Sequence, residues 1–284
     1  MKNRKDGKRI QVNGMEQILI DLKPNRNEAD VFIDKDIDVT ELKQYLDKKK
    51  KEGKEYTFFH AVVLAIGKVI YNRNKLNRFV ANRHLYEHNN IVISFVAKVA
   101  FDDKSEEVML LIPIDEKDNI DTISKKIKDK VDAVRVKKVD KKGANSAIDT
   151  LGKLPNIIRV PLIGLLKRLD QLDLLPESLK QDNLYYSSTI VSNIGSLGSE
   201  AIYHNNTNLG TASSILTIGK IKDKEVITEN GKKEIRKICD FGMNFDERIA
   251  DGFYLIKSAK LLQHIISNPE LLEEDANTKI ELSE

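Results

Sequence analysis

Residues 188–199 read STIVSNIGSLGS, a β-branched run that stops at Asn193 and Gly195. That is the pattern of a strand running into a glycine-punctuated loop. Ser192 thereby stands at a strand end, a hydroxyl carried on regular backbone just before a turn. Residues 246–252 read DERIADG, three carboxylates and a guanidinium lying between a strand and a helix. Taken alone, this acidic cluster has a plain structural reading. Asp251 caps the following helix, and Arg248 pairs with a neighbouring carboxylate.

Working outward, residues 212–221, 224–228 and 234–245 are expected as three further strands, and a helix runs from near Asp251 to Pro269. Upstream, residues 31–39 alternate apolar and polar, the period of a half-buried strand. Thr40 is expected to cap a helix carried by Leu42, Tyr45 and Leu46, ending in the lysine run at 48–51. Thr57 opens FFHAVVLAIGKVI (58–70), apolar nearly all round and so a buried helix in which His60 is a packed residue rather than a ligand. Residues 91–101 and 108–114 form a long hairpin turning near 102–104, followed by an amphipathic helix over 121–136. In 151–175, seven aliphatic positions keep helical spacing. Pro155, Pro161 and Gly164 are expected to break the stretch into shorter pieces. Its apolar side packs either on the protein's own core or on a neighbouring subunit, or it serves lipid or an acyl chain. The segment after Leu272 is acidic and expected to fray.

The chain of 284 residues is 40% hydrophobic and 32% charged, so it supports a sizeable core. Its 47 Lys and Arg nearly balance 44 Asp and Glu, leaving a net charge of +3, without the bulk field of a dedicated nucleic-acid binder. The lone cysteine, Cys239, excludes an internal disulfide framework and fits a reducing, cytoplasmic setting. No signal peptide and no membrane span is expected. The five histidines are scattered without metal-ligand spacing, so no metal is expected. Neither a nucleotide-binding loop nor a nucleophile elbow occurs.

Taken together and in this order, IVSNIG (190–195), DERIADG (246–252) and NPELL (268–272) resemble the catalytic domain of the 2-oxoacid dehydrogenase acyltransferases. That family shares its fold with chloramphenicol acetyltransferase. Its strand ends in a T-I-S-N-L-G-like motif, its D-H-R-x-x-D-G follows at a matching distance, and its last helix ends in N-P-x-x-L-L. The resemblance implies an α/β two-layer sandwich, a mostly antiparallel mixed sheet with helices on one face. It spans residues 15–273, with 151–176 as an elaboration, 1–14 as an N-terminal tail and 274–284 as an acidic C-terminal tail. It further implies a homotrimer, or a higher assembly of this chain, with active sites between subunits. Acyl groups would pass between coenzyme A and a second acceptor, which the sequence does not identify. Ser192 would match the serine that donates to the oxyanion of the tetrahedral intermediate, and Asp251 the aspartate that holds the active-site loop through a salt bridge. Asn193, Arg248 and Gly252 match the motifs' structural positions. With about residue 15 as its start, this chain is expected to carry no lipoyl group of its own.

One departure is informative. Glu247 stands where the family has its catalytic histidine, the base that takes the proton from an attacking thiol. A thiol titrates near ~8.5, histidine near ~6.5 and glutamate near ~4.3, so glutamate starts about 3 kcal/mol worse as that base. Burial beside Asp246 and Asp251 would recover part of the deficit, and Arg248 would oppose it. Three readings stay open. Glu247 is a tuned base for a different acceptor; His204, in the loop after Ser192, has taken over; or the site is inert and the assembly serves as a binding scaffold.

Overall fold

The computed structural model describes residues 2–98, 107–137, 150–228 and 230–282. The expected hairpin turn near 102–104 lies outside them. Nine strands are present among these residues: β1 (Gly7–Arg9), β2 (Asp30–Asp38), β3 (Arg78–Ala81), β4 (His84–His88), β5 (Ile91–Lys98), β6 (Glu107–Ile114), β7 (Thr189–Asn193), β8 (Ser214–Ile227) and β9 (Lys233–Asp246). The main sheet has the order β2-β9-β8-β7-β5-β6. β7 runs parallel to both β5 and β8, and every other neighbouring pair is antiparallel. The helices are α1 (Gly14–Leu22), α2 (Thr40–Lys51), α3 (Phe58–Asn72), α4 (Ile120–Lys137), α5 (Asn156–Gln171), the short α6 (Glu177–Lys180) and α7 (Gly252–Ser267).

The period of two decides which face of the sheet is which. Phe241, Met243 and Phe245 of β9 join Val191, Leu216 and Ile218 in one buried cluster with α3 and α7. Asp240, Gly242 and Asn244 therefore lie on the opposite, outer face, as do Ser192 and Thr217. α3 is the centre of the helical layer, with every residue from His60 to Ile70 buried. Thr57 caps it by accepting the His60 N–H at 3.1 Å, and His60 returns its own ring nitrogen to Thr57 N–H, so the packed reading of this histidine holds.

Burial lowers the His60 pKa to about 4. The unfolded chain, titrating near ~6.5, takes up the proton first, so this contribution is complete above ~6.5 and is lost as pH falls toward about 4. Glutamine at position 60 keeps a capping-box partner without the titration. The melting temperature of His60→Gln should therefore fall less than wild type between pH 7 and pH 4.5. Parallel curves would contradict this.

Several sequence expectations change. Thr40 is the first residue of α2 rather than its cap, since its hydroxyl accepts the Lys237 N–H instead. Residues 212–221 and 224–228 belong to one strand, β8, with an irregularity between Ile218 and Ile221. α5 is a single helix through Pro161 and Gly164. The carbonyl that Pro161 cannot serve belongs to Ile157, which is 85% exposed, so water can take the place of the missing bond. Ile158, Val160 and Leu165 are also more than half exposed, whereas Leu151, Leu154, Leu162 and Leu169 are half-buried, so the chain itself covers this stretch only in part. Finally, the C-terminal segment is docked through Leu282. Ala276 is fully buried, the buried Lys68 ammonium donates to the Glu274 and Asp275 carbonyls, and Asn72 binds Thr278 and Ile280. The N-terminal stretch is likewise built in: β1 pairs with β4, and Arg4 is buried against Asp6 and the Asp170 carbonyl.

Candidate active site

Ser192 is the fourth residue of β7, half-buried on the outer face, and its hydroxyl has no hydrogen-bond partner among the described residues. Directly beside it in register stands Thr217, whose fully buried hydroxyl is also unpartnered. Farther across the same face, one oxygen each of Asp240 and Asn244 lacks a partner. Unsatisfied buried polar atoms are uncommon, because each forfeits its hydration without replacement. Three of them on one sheet face, beside the free half-buried hydroxyl of Ser192, make this a chemically unfinished surface among the described residues. Thr217 was missed in sequence because a Thr inside a β-branched strand carries no local signal.

Residues 200–208 cross this face as a strap. Ala201 N–H donates to the Asp240 carboxylate, Asn244 Nδ2 donates to the His204 carbonyl at 2.6 Å, and Asn206 holds Asp30. Glycine is required beneath it. A Cβ on Gly219 would stand 2.6 Å from the Ala201 nitrogen, and one on Gly242 2.9 Å from the Ile202 oxygen. His204 is exposed, with its backbone over Asn244, between the Ser192 and Glu247 ends of the sheet.

The DERIADG segment follows β9 directly. Asp246 is fully buried and grips the Arg248 guanidinium by two bonds of 2.8 and 2.7 Å, with Arg26 Nε at 3.6 Å. Burial pushes the Arg26 pKa down, and the nearby Arg248 charge adds to this, while Asp246 opposes both. Arg248 also donates to the Lys23 carbonyl at 2.8 Å, tying the α1 terminus to this corner. Glu247 points out of the cluster. Its side chain is 28% exposed and ion-paired with Lys23, and its N–H donates to Ala29 O. The dry, aspartate-flanked setting considered from sequence is not what surrounds it in the single chain. Asp246 faces arginines, and the contact to Glu247 is a lysine.

Asp251 is exposed and caps α7 by accepting the Tyr254 N–H at 2.8 Å. The ion pair of this corner is Asp246–Arg248, and no salt bridge to Asp251 is found among the described residues. Asn193 Oδ1 meets the Ser196 N–H in the turn after β7 at 3.4 Å, and Gly252 is the first residue of α7. Cys239 is buried, and burial raises its thiol to about 12, which leaves it unreactive.

Ser192 and Glu247 do not meet within one chain. Ser192 is in register with Thr217 and Thr217 with Gly242. Two strand spacings across and five residues along β9 place their Cα atoms about 19 Å apart. The two residues sit toward opposite ends of the sheet.

Among the described residues no helix is long and apolar enough to cross a membrane. Residues 173–273 match the sequence model of the 2-oxoacid dehydrogenases acyltransferase (catalytic domain). No curated protein matches the chain. Among solved structures, it is similar to a probable dihydrolipoamide acetyltransferase from Listeria monocytogenes 4b F2365, at 19% identity and a TM-score of 0.61, over 92% of this chain and 94% of that one. The dihydrolipoamide acetyltransferase of Azotobacter vinelandii, studied for a serine, a histidine and an asparagine in its mechanism, is 13% identical over 93% of both chains, with a TM-score of 0.59. A chloramphenicol acetyltransferase is 12% identical over 92% of this chain and 98% of that one, with a TM-score of 0.55. The chain thus has the chloramphenicol-acetyltransferase-like fold, and the segment that holds Ser192, Glu247 and Asp251 carries the pattern of the 2-oxoacid dehydrogenase acyltransferase catalytic domain.

Proposed function

We propose that this protein is an acyltransferase that moves an acyl group between coenzyme A and an acceptor, at a site shared by two subunits of a homotrimer. The carrying observation is the unpartnered Ser192 hydroxyl on a strand end, inside the matched segment. A hydroxyl already fixed by the sheet and free of internal bonds is ready to donate to an oxyanion as the thioester carbonyl becomes tetrahedral. The separation of about 19 Å between Ser192 and Glu247 supports a site assembled from two copies, because no single copy can bring both to one substrate. Glu247 of one subunit, or His204, accepts the proton of the attacking group. Asp251 and the Asp246–Arg248 pair hold the loop on which Glu247 sits.

A second reading is favoured by the Lys23–Glu247 ion pair. While the pair holds, the carboxylate is engaged and cannot serve as a base, so an assembly with a silent site follows if nothing displaces Lys23. Glu247→Gln decides between these readings. Under the glutamate-base reading its acyl-CoA turnover, followed by thiol release in the presence of candidate acceptors, falls about a hundredfold, as is usual for loss of a general base. Unchanged turnover removes Glu247 from the chemistry and leaves His204 to be tested by His204→Asn. No turnover in the wild-type protein with any acyl-CoA supports the silent assembly.

A further inference from the structure

Next to the corner held by Arg248 lies a cavity of about 370 Å³ whose wall contains five cationic residues and no carboxylate. Arg26 and Arg248 form its buried back wall around Asp246, and the Arg26 Nε has no hydrogen bond. Arg83 comes from the β3–β4 turn, and Lys167, Arg168 and Gln171 come from one side of α5. Their donors are largely free. Lys167 has neither ion pair nor hydrogen bond among the described residues, and Arg168 reaches only Asn82 Oδ1, at 3.4 Å. Arg83 meets Asp21 at an exposed 3.2 Å contact. Gln171 is oriented by accepting the Asn82 N–H at 2.5 Å, which leaves its Nε2 donor without a partner among the described residues.

The turn that presents Arg83 is itself unusual. Asn82 and Arg83 have φ of 45° and 59°, a two-residue hairpin turn whose second position ordinarily takes glycine. Holding an arginine in this left-handed conformation is sterically unfavourable, and it keeps a guanidinium at the cavity where glycine would leave none.

We propose that this cavity binds a phosphorylated small molecule, a phosphate ester or pyrophosphate. Guanidinium forks and an ammonium converging with amide donors match the several acceptor oxygens of such an anion. The volume is that of a small-molecule pocket, larger than a bare phosphate would fill. Lys167, Arg168 and Gln171 all belong to the 151–176 elaboration, which gives that segment's polar side a role distinct from its exposed apolar side. The proposal concerns binding and does not rest on acyl transfer.

The test is calorimetric titration of the full chain with pyrophosphate at low salt. Saturable one-site binding is expected, at least about tenfold weaker in Arg83→Ala/Lys167→Ala, since charge-assisted bonds are lost. Lys232→Ala/Lys233→Ala, which removes equal charge at the β8–β9 turn, should bind like wild type. Arg83→Gly/Lys167→Gln, which relieves the turn while removing the same charges, provides a second variant should the first fold poorly. Displacement of pyrophosphate by coenzyme A would identify a nucleotide-borne phosphate, and displacement by phosphatidic acid vesicles a lipid headgroup; either supports the site. Absence of saturable binding, wild-type affinity in both double variants of the cavity, or equal weakening by the control pair would overturn it. Loss of turnover in Ser192→Ala with pyrophosphate binding intact would separate this site from the acyl-transfer reading.

Discussion

Replacing Asp246 with alanine should destabilise the protein by about 3–5 kcal/mol, the cost typical of removing one partner from a buried ion pair. This is a large share of the 5–15 kcal/mol that ordinarily separates folded from unfolded domains. Asp246 is fully buried, and its carboxylate faces Arg248 and Arg26, both also buried. Its loss leaves two guanidiniums out of water with no counter-charge between them. Arg248 would also lose the anchor from which it holds the Lys23 carbonyl, so the damage should reach the C-terminal end of α1. Denaturant unfolding at fixed protein concentration measures the effect, and a change below about 1 kcal/mol would contradict it. The double variant Asp246→Ala/Arg248→Met should recover part of the loss, because one unpaired charge goes with its partner. The expected effect follows from the desolvation of the remaining charges rather than from the strength of one contact.

Ser192→Ala should lower acyl-CoA turnover about 10²–10³-fold, the usual range for removing one oxyanion donor. Its stability should stay within about 0.5 kcal/mol of wild type, since the hydroxyl has no internal hydrogen bond to lose. Binding of acyl-CoA should be little changed, so the effect falls on kcat rather than KM. A drop in turnover of less than about tenfold would remove Ser192 from the proposed chemistry. Mixing supplies a stricter test of the shared site. Subunits carrying Ser192→Ala and subunits carrying Glu247→Gln are each impaired alone under the glutamate-base reading. Exchanged into one trimer, about a quarter of the interfaces recover a serine from one copy and a glutamate from the other, as a heterologous ring requires. Complementation fails if each chain builds its site alone.

The elements with a clean local pattern were legible in the sequence. β2 has a β-branched and aromatic start and an alternating end, α3 has a cap before an apolar run, and α7 follows its Asp251 cap and ends before Pro269. The three-stranded sheet of β1, β4 and β3 was not visible. Its strands are three to five residues long; β3 and β4 are joined by an Asn-Arg turn without the glycine that would announce a hairpin, and β1 pairs with β4 from far along the chain. Proline at 161 was read as a breaker, but an exposed helix can hydrate the carbonyl that proline leaves free. The tail after Leu272 was read as frayed from its charge, yet the buried Lys68, more than two hundred residues away in sequence, captures its carbonyls. In the site, the motif positions Ser192, Glu247 and Asp251 were found by local pattern. Thr217, Lys23 and Arg26 were not, because each matters only through a neighbour brought in by the sheet or by the α1 terminus.

By itself the sequence determined most strands and helices, through short-range periodicity, and the positions of the two site motifs, whose resemblance to the acyltransferase family implied the fold. Tertiary structure alone decided what those residues face. Register sets Ser192 beside Thr217 and far from Glu247, and the fold turns Asp246 inward to two arginines while Glu247 meets Lys23. The same folding brings the cations of α5 and of the β3–β4 turn around one cavity. Burial and charge pairing depend on which distant segments arrive at one place, and no local pattern encodes that.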